Sequence, residues 1–234
     1  MTLCSQLDEL IRACFTGIWI QSFEHQDAIS EIAGLCQQED WRLLTWDLEH
    51  GLQGRGLQLD ASDPLAAVRA LGALPEESSQ STILVLQNFH RFLNSPEIVQ
   101  AVSRAVIDGK ARRTFLVVLS PVVQIPVELE KLFVVVEHAA PGREQLEQLA
   151  RSIATESGEL PEGTELDRVL EAASGLTRYE AESAYSLSLV RHGSARPETI
   201  WELKTQMLKK SGQLALHRGA EDFASLGGLA ALKA

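Results

Sequence analysis

Up to Pro141, apolar residues gather in short, almost unbroken runs: Gly17 to Gln21, Trp41 to Trp46, Thr82 to Leu86, Thr114 to Leu119 and Phe133 to Val136. Runs without a polar alternation suit strands covered on both faces, so they predict five strands of a parallel sheet. The stretches between them are long enough for crossover helices on both sides of that sheet. His25 to Cys36 carries Ala28, Ile29, Ile32, Ala33 and Cys36 at helical spacing. Asp63-Pro64 reads as a cap and first-turn proline, opening a helix that ends near Gly72. Pro96 opens another, expected to run to Asp108 and to be closed by Gly109.

After Pro141 the strand signals stop. Arg143 to Glu156, Thr164 to Ala173, Thr177 to Arg191 and Pro197 to Lys210 read as four helices, with Gly158, Gly175, Gly193 and Gly212 at their ends. Thr177 and Glu180 have the spacing of a capping box. The pattern divides the chain into an α/β part, 1–140, a small all-α part, 141–218, and a linker, 219–234.

Composition narrows the partners. Among 234 residues, 32 acids against 21 bases give a net charge of -11. Arg112-Arg113 and Lys209-Lys210 are the longest basic runs, too little to hold a phosphate backbone, so neither nucleic acid nor an anionic membrane is expected. Cys4, Cys14 and Cys36 show no C-x-x-C spacing and read as reduced thiols without a metal. Asp8, Glu9 and Arg12 interrupt the N-terminus, and no apolar run approaches the length of a bilayer span, so a cytoplasmic location is expected.

Several ordered segments carry a family likeness. They are Ile18-Trp-Ile-Gln-Ser-Phe-Glu24, Trp46-Asp-Leu-Glu-His-Gly-Leu52, Asp63-Pro64-Leu65, Leu84 to His90 with Phe92-Leu93, Leu119-Ser-Pro121 with Ile125-Pro126 and Glu128-Leu-Glu130, Gly175-Leu-Thr177 with Glu180-Ala181, and Leu226-Gly-Gly-Leu229. In order and spacing the chain resembles the N-terminal, degenerate half of an AAA+ ATPase family of cyanobacteria, chloroplast genomes and other bacteria. The resemblance implies a P-loop-NTPase-type α/β sheet followed by a helical lid subdomain. It also implies that the ending, Asp222 to Lys233, leads into an ATPase cassette downstream, where ATP and Mg would bind. Its implied partners are proteins: that cassette, neighbouring subunits of a homo-oligomer, or a client.

This segment lacks the parts an ATPase needs. No G-x-x-x-x-G-K-[ST] occurs, and the turn where a phosphate loop would stand reads Gln21-Ser-Phe-Glu-His-Gln-Asp27. Glu24 and Asp27 put carboxylates at the positive end of a helix, where a phosphate would otherwise sit. Gln87-Asn88 stands where a metal-holding and a water-polarising carboxylate are required. No catalytic residue, metal or cofactor is therefore expected here. If a nucleotide did bind, Ser22, Glu24, Asn88 and Ser120 would line its pocket. Gly51, Leu52, Gly54, Arg55 and Gly56 read either as a contact loop or as a solvated one. Lys131 reads as a solvated lysine or, by the resemblance, as a contact to the next subunit. The expected function is an inactive AAA+-like domain serving assembly, substrate contact or regulation. The alternatives are a nucleotide-binding regulatory sensor with an irregular pocket, or a free-standing acidic interaction module.

Overall fold

The computed structural model describes residues 2–54, 62–74 and 80–210. The chain forms two compact units, Met1–Ala139 and Ala140–Ala234. Arg55, Gly56, Gly212 and the expected linker 219–234 lie outside the described residues.

In the first unit, β1 (Gly17–Gln21), β2 (Arg42–Asp47), β3 (Gly51–Gly54), β4 (Thr82–Gln87), β5 (Thr114–Ser120) and β6 (Val134–Glu137) build one sheet. The strand order is β3-β2-β4-β5-β1-β6. Neighbours are parallel except β2 and β3, which pair antiparallel through Trp46 opposite Leu52 and Asp47 opposite Gly51. The sheet is thus six-stranded and mixed, where five parallel strands were expected. The sixth strand, β3, is the segment read as a glycine-rich loop. Its direction reverses at a tight turn in which the Asp47 carboxylate accepts from the amides of Glu49 and His50, at 2.9 and 2.7 Å. Gly51 then adopts a left-handed φ of 66°, which glycine reaches at no steric cost.

The sheet separates two cores. On one face Trp19, Leu44, Trp46, Leu84, Leu86, Leu116 and Val118 meet α3 (Pro64–Ala73) and α4 (Pro96–Arg112). On the other, Ile18, Ile20, Ile83, Val85, Phe115, Val117 and Leu119 meet α1 (Leu3–Arg12) and α2 (His25–Gln38). Successive strand residues alternate between the two cores, as the period-two geometry of a strand requires. Helix α3 starts as its sequence indicates, with the Asp63 carboxylate accepting from the Ala66 amide at 2.9 Å and Pro64 in the first turn.

Gly109 does not end α4. The helix continues to Arg112, and Arg113 supplies the left-handed cap at φ 52°. Gly109 is buried, and a Cβ there would lie 2.4 Å from the Thr114 carbonyl oxygen and 3.1 Å from the Thr16 side chain. A close approach of helix to sheet fixes this glycine.

The second unit contains α5 (Arg143–Ile153), α6 (Thr164–Ala173), α7 (Arg178–His192) and α8 (Pro197–Lys210). Helix α5 stops short of the expected Glu156. Leu146, Val169, Leu170, Tyr185 and Ile200 form its core. Thr177 and Glu180 make both halves of the capping box, at 3.2 and 2.9 Å. Lys204 donates to the carbonyls of Ala172 and Ser174 at the end of α6, placing a cation at the negative end of that helix.

Candidate functional site

The connection leaving β1 runs through α2 on one face, whereas the connection leaving β5 contributes Leu129 to the core on the other. Connections that part in this way mark a switch point, and the carboxyl ends of the strands there are the usual place for a ligand in an α/β sheet. Here that point lies where β1 meets β5 and β6.

Hydrogen bonds join these strand ends. The Ser22 amide donates to the Ser120 carbonyl at 2.9 Å, and the His138 amide donates to the Gln21 carbonyl at 2.9 Å. Ser22 is buried, and its Oγ accepts from the Glu24 amide at 2.9 Å while lying 2.7 Å from Nδ1 of His138. This hydroxyl is already engaged on both sides. Ser120 is fully buried and donates its hydroxyl hydrogen to the Val122 carbonyl at 2.6 Å, which stabilises the turn at Pro121.

Asn88 is exposed and left-handed, with φ 53° and ψ 25°. Asparagine is among the few residues that reach this region readily, so the tight turn from β4 into Phe89–Arg91 accounts for it without a ligand. Glu24 precedes the first turn of α2, and Asp27 lies within that turn. Of the four residues named for a nucleotide pocket, Ser22 and Ser120 are joined through the backbone across β1 and β5.

Two histidines lie at the same end of the sheet. His90 is buried with its Nδ1 unpartnered, and Nε2 of His25 is likewise buried without a partner. Burial lowers the pKa of both rings; the nearby His90 lowers His25 further, and Arg91 lowers His90 further.

Sequence reasoning missed Glu31 and His138. Asp27, Glu31 and His138 each offer a ligand atom, and these atoms lie within 4.8 Å of one another. Asp27 and Glu31 share a helix face by their spacing, but only the pairing of β6 with β1 brings His138 to them.

The remaining named residues lie elsewhere. Gly51 and Leu52 are buried in β3, and a Cβ on Gly54 would meet Leu44 Cδ2 at 2.3 Å. Lys131 is exposed in the turn before β6. A cavity of about 520 Å³ lies between α3 and α4, beside the start of β5 and away from the carboxyl ends of the strands, and is lined by both signs of charge, among them Arg69, Arg104, Glu97 and Asp108.

A family profile described as SpoVK-like AAA ATPase, N-terminal domain, matches residues 3–138. The chain belongs to the SpoVK-like AAA ATPase family. The profile of the second domain of the same ATPases matches residues 144–211 of this SpoVK-like chain. A search of curated proteins finds no match. Solved structures share its fold. A chain of the E. coli MS115-1 HORMA:CdnC:Trip13 complex superposes with a TM-score of 0.51 and 13% identity, over 81% of this SpoVK-like chain and 72% of that one. Hsp104, in a closed-state reconstruction with ATPγS and FITC casein, gives a TM-score of 0.51 and 14% identity over 86% of this chain. The match spans 42% of the Hsp104 chain. Among the described residues no helix is long and apolar enough to cross a membrane.

Proposed function

We propose that this segment is a catalytically inactive AAA+-like domain that serves assembly, substrate contact or regulation of an ATPase cassette downstream of it. The observation that carries the reading is the entrance to α2. The amides of Ser22 and Glu24, donating to the Ser120 carbonyl and to Ser22 Oγ, stand where a phosphate cradle needs free donors, and Glu24 and Asp27 add carboxylates there. Each carboxylate near the helix start gains ~0.3–1 kcal/mol from the helix dipole, and the same charges oppose a polyanion. The family profiles, named for the N-terminal and second domains of an ATPase, support a role beside a working cassette. The cyanobacterial and chloroplast branch is supported by the sequence segments quoted above.

The similar structures are of protein assemblies, a HORMA:CdnC:Trip13 complex and Hsp104 with casein, which supports a protein as the thing contacted. The contact residues in this reading are Gly51, Leu52, Gly54, Arg55 and Gly56, with Lys131 toward a neighbouring subunit of a full-length homo-oligomer. The site of action is the cytoplasm.

Titration calorimetry of the purified chain with ATP and Mg²⁺ tests the inactive reading. No saturable heat and no phosphate release are expected. Saturable binding at millimolar or lower ATP that requires Mg²⁺ would replace it with the regulatory-sensor reading.

A further inference from the structure

We propose that Asp27, Glu31 and His138 form a binding site for a first-row divalent metal ion, of which Zn²⁺ is the best fit. The donors are one imidazole nitrogen and two carboxylate oxygens, a set that suits Zn²⁺ and its neighbours; Mg²⁺ prefers oxygen alone and sheds its water reluctantly.

The geometry of His138 carries the proposal. Its side chain is only 6% exposed, and Nδ1 is fixed by Ser22 Oγ at 2.7 Å. That contact aims Nε2 at Glu31, whose Oε1 is 3.9 Å away, beyond hydrogen-bond reach. Ions of this class take nitrogen and oxygen ligands at about 2.0–2.2 Å, so two ligands of a tetrahedral ion stand roughly 3.3–3.6 Å apart. The observed 3.9 Å, and the 4.8 Å that bounds all three ligand atoms, close to that spacing by small carboxylate rotations. With an ion on Nε2 the proton sits on Nδ1, which donates to Ser22 Oγ, so Ser22 plays the part that outer hydrogen-bond acceptors play for metal-bound histidines.

Asp27 and Glu31 are one helical turn apart on α2, whereas His138 follows β6. A bound ion would tie the helix after β1 to the strand at the sheet edge. It would also neutralise two carboxylates that sit one turn apart on the same face of α2. The site needs no nucleotide, so it stands or falls separately from the inactive reading above.

Calorimetry with Zn²⁺ alone, in nucleotide-free buffer, tests the proposal, with Co²⁺ absorption reporting the ligand field. One ion per chain is expected, with Mg²⁺ at least about tenfold weaker. Glu31→Gln and His138→Gln should abolish the saturable heat, and Ser22→Ala should weaken it by about ten- to a hundredfold. Asp27→Asn, on a half-exposed helix position, decides the matter if His138→Gln does not fold. Absence of saturable Zn²⁺ binding overturns the site. Affinity unchanged in Glu31→Gln and Asp27→Asn overturns it equally, since the ion would then be held elsewhere.

Discussion

His138 Nδ1 lies 2.7 Å from Ser22 Oγ, a side-chain link between the end of β6 and the turn that follows β1. Ser22 also accepts from the Glu24 amide, so one hydroxyl joins three parts of the chain: the turn, the start of α2 and the edge strand. A phosphate loop works by leaving backbone amides free for a ligand. In the corresponding turn here the Ser22 and Glu24 amides are bonded, to the Ser120 carbonyl and to Ser22 Oγ.

Burial makes His25 and His90, at the carboxyl end of the sheet, acid-sensitive. Their pKa values lie below the ordinary value of about 6.5, because burial disfavours the charged ring. As pH falls through about 6.5 the unfolded chain therefore takes up protons before the folded one, and stability drops until the folded rings also protonate. Urea unfolding followed from about pH 7.5 to about pH 5 should show this loss, and His90→Gln should flatten the curve. An unchanged slope in His90→Gln would remove His90 from the explanation.

Cys36 is buried against the face of the sheet that holds α1 and α2, and burial pushes its thiol up to about 12. Only the thiolate attacks a disulfide reagent, so Cys36 should stay unmodified in the native protein and react once urea opens the core. Mass spectrometry of peptides after brief labelling distinguishes it from Cys4 and Cys14, which are half-buried. Native-state labelling of Cys36 at the rate of a free peptide thiol would contradict the packing of this core.

The capping box at the start of α7 gives a local measure of stability in the second unit. Thr177→Ala leaves the Glu180 amide without its side-chain acceptor and should cost about 1 kcal/mol, whereas Thr177→Ser should cost much less. Chemical unfolding of the two variants checks the difference. Equal stability of Thr177→Ala and wild type would mean that water serves the amide as well as the hydroxyl does.

The sequence exposed the sheet where its signal was self-contained. Strands β1, β4 and β5 are apolar between their end residues because both faces are covered, and they fall within a residue of expectation. The capping box and the Asp63-Pro64 start were legible because capping is local chemistry. Helix α1 left a signal that went unread, with Leu3, Leu7 and Ile11 four residues apart after the capping Thr2. Strand β3 left almost none, since Gly51-Leu-Gln-Gly54 has little strand propensity and becomes a strand by pairing with β2. The Asp27, Glu31 and His138 cluster was illegible because its members meet only after β6 docks beside β1.

Gly109 distinguishes two accounts of one residue by the sign of a stability change. If glycine stood in α4 only as a poor helix former, Gly109→Ala would stabilise the protein by up to about 1 kcal/mol. The structure instead puts the Thr114 carbonyl oxygen 2.4 Å from where the new Cβ would sit, with Thr16 Cβ and Cγ2 at 3.1 Å. The 2.4 Å neighbour is backbone at the start of a fully buried strand, so it cannot swing aside as the end of a long side chain could. Thr16 is held too, because its hydroxyl donates to the Val106 carbonyl at 2.6 Å. Relief must come from moving α4 away from the sheet, which loosens Val102 and Val106 against Leu116 and Val118. Overpacking of this kind costs about 1–3 kcal/mol, more than the helix-propensity gain returns. Gly109→Ala should therefore lower the midpoint of urea unfolding, while Gly34→Ala in α2, where a Cβ meets nothing within 4 Å, should raise it. A stabilised Gly109→Ala variant would show that α4 does not press on the sheet at this point.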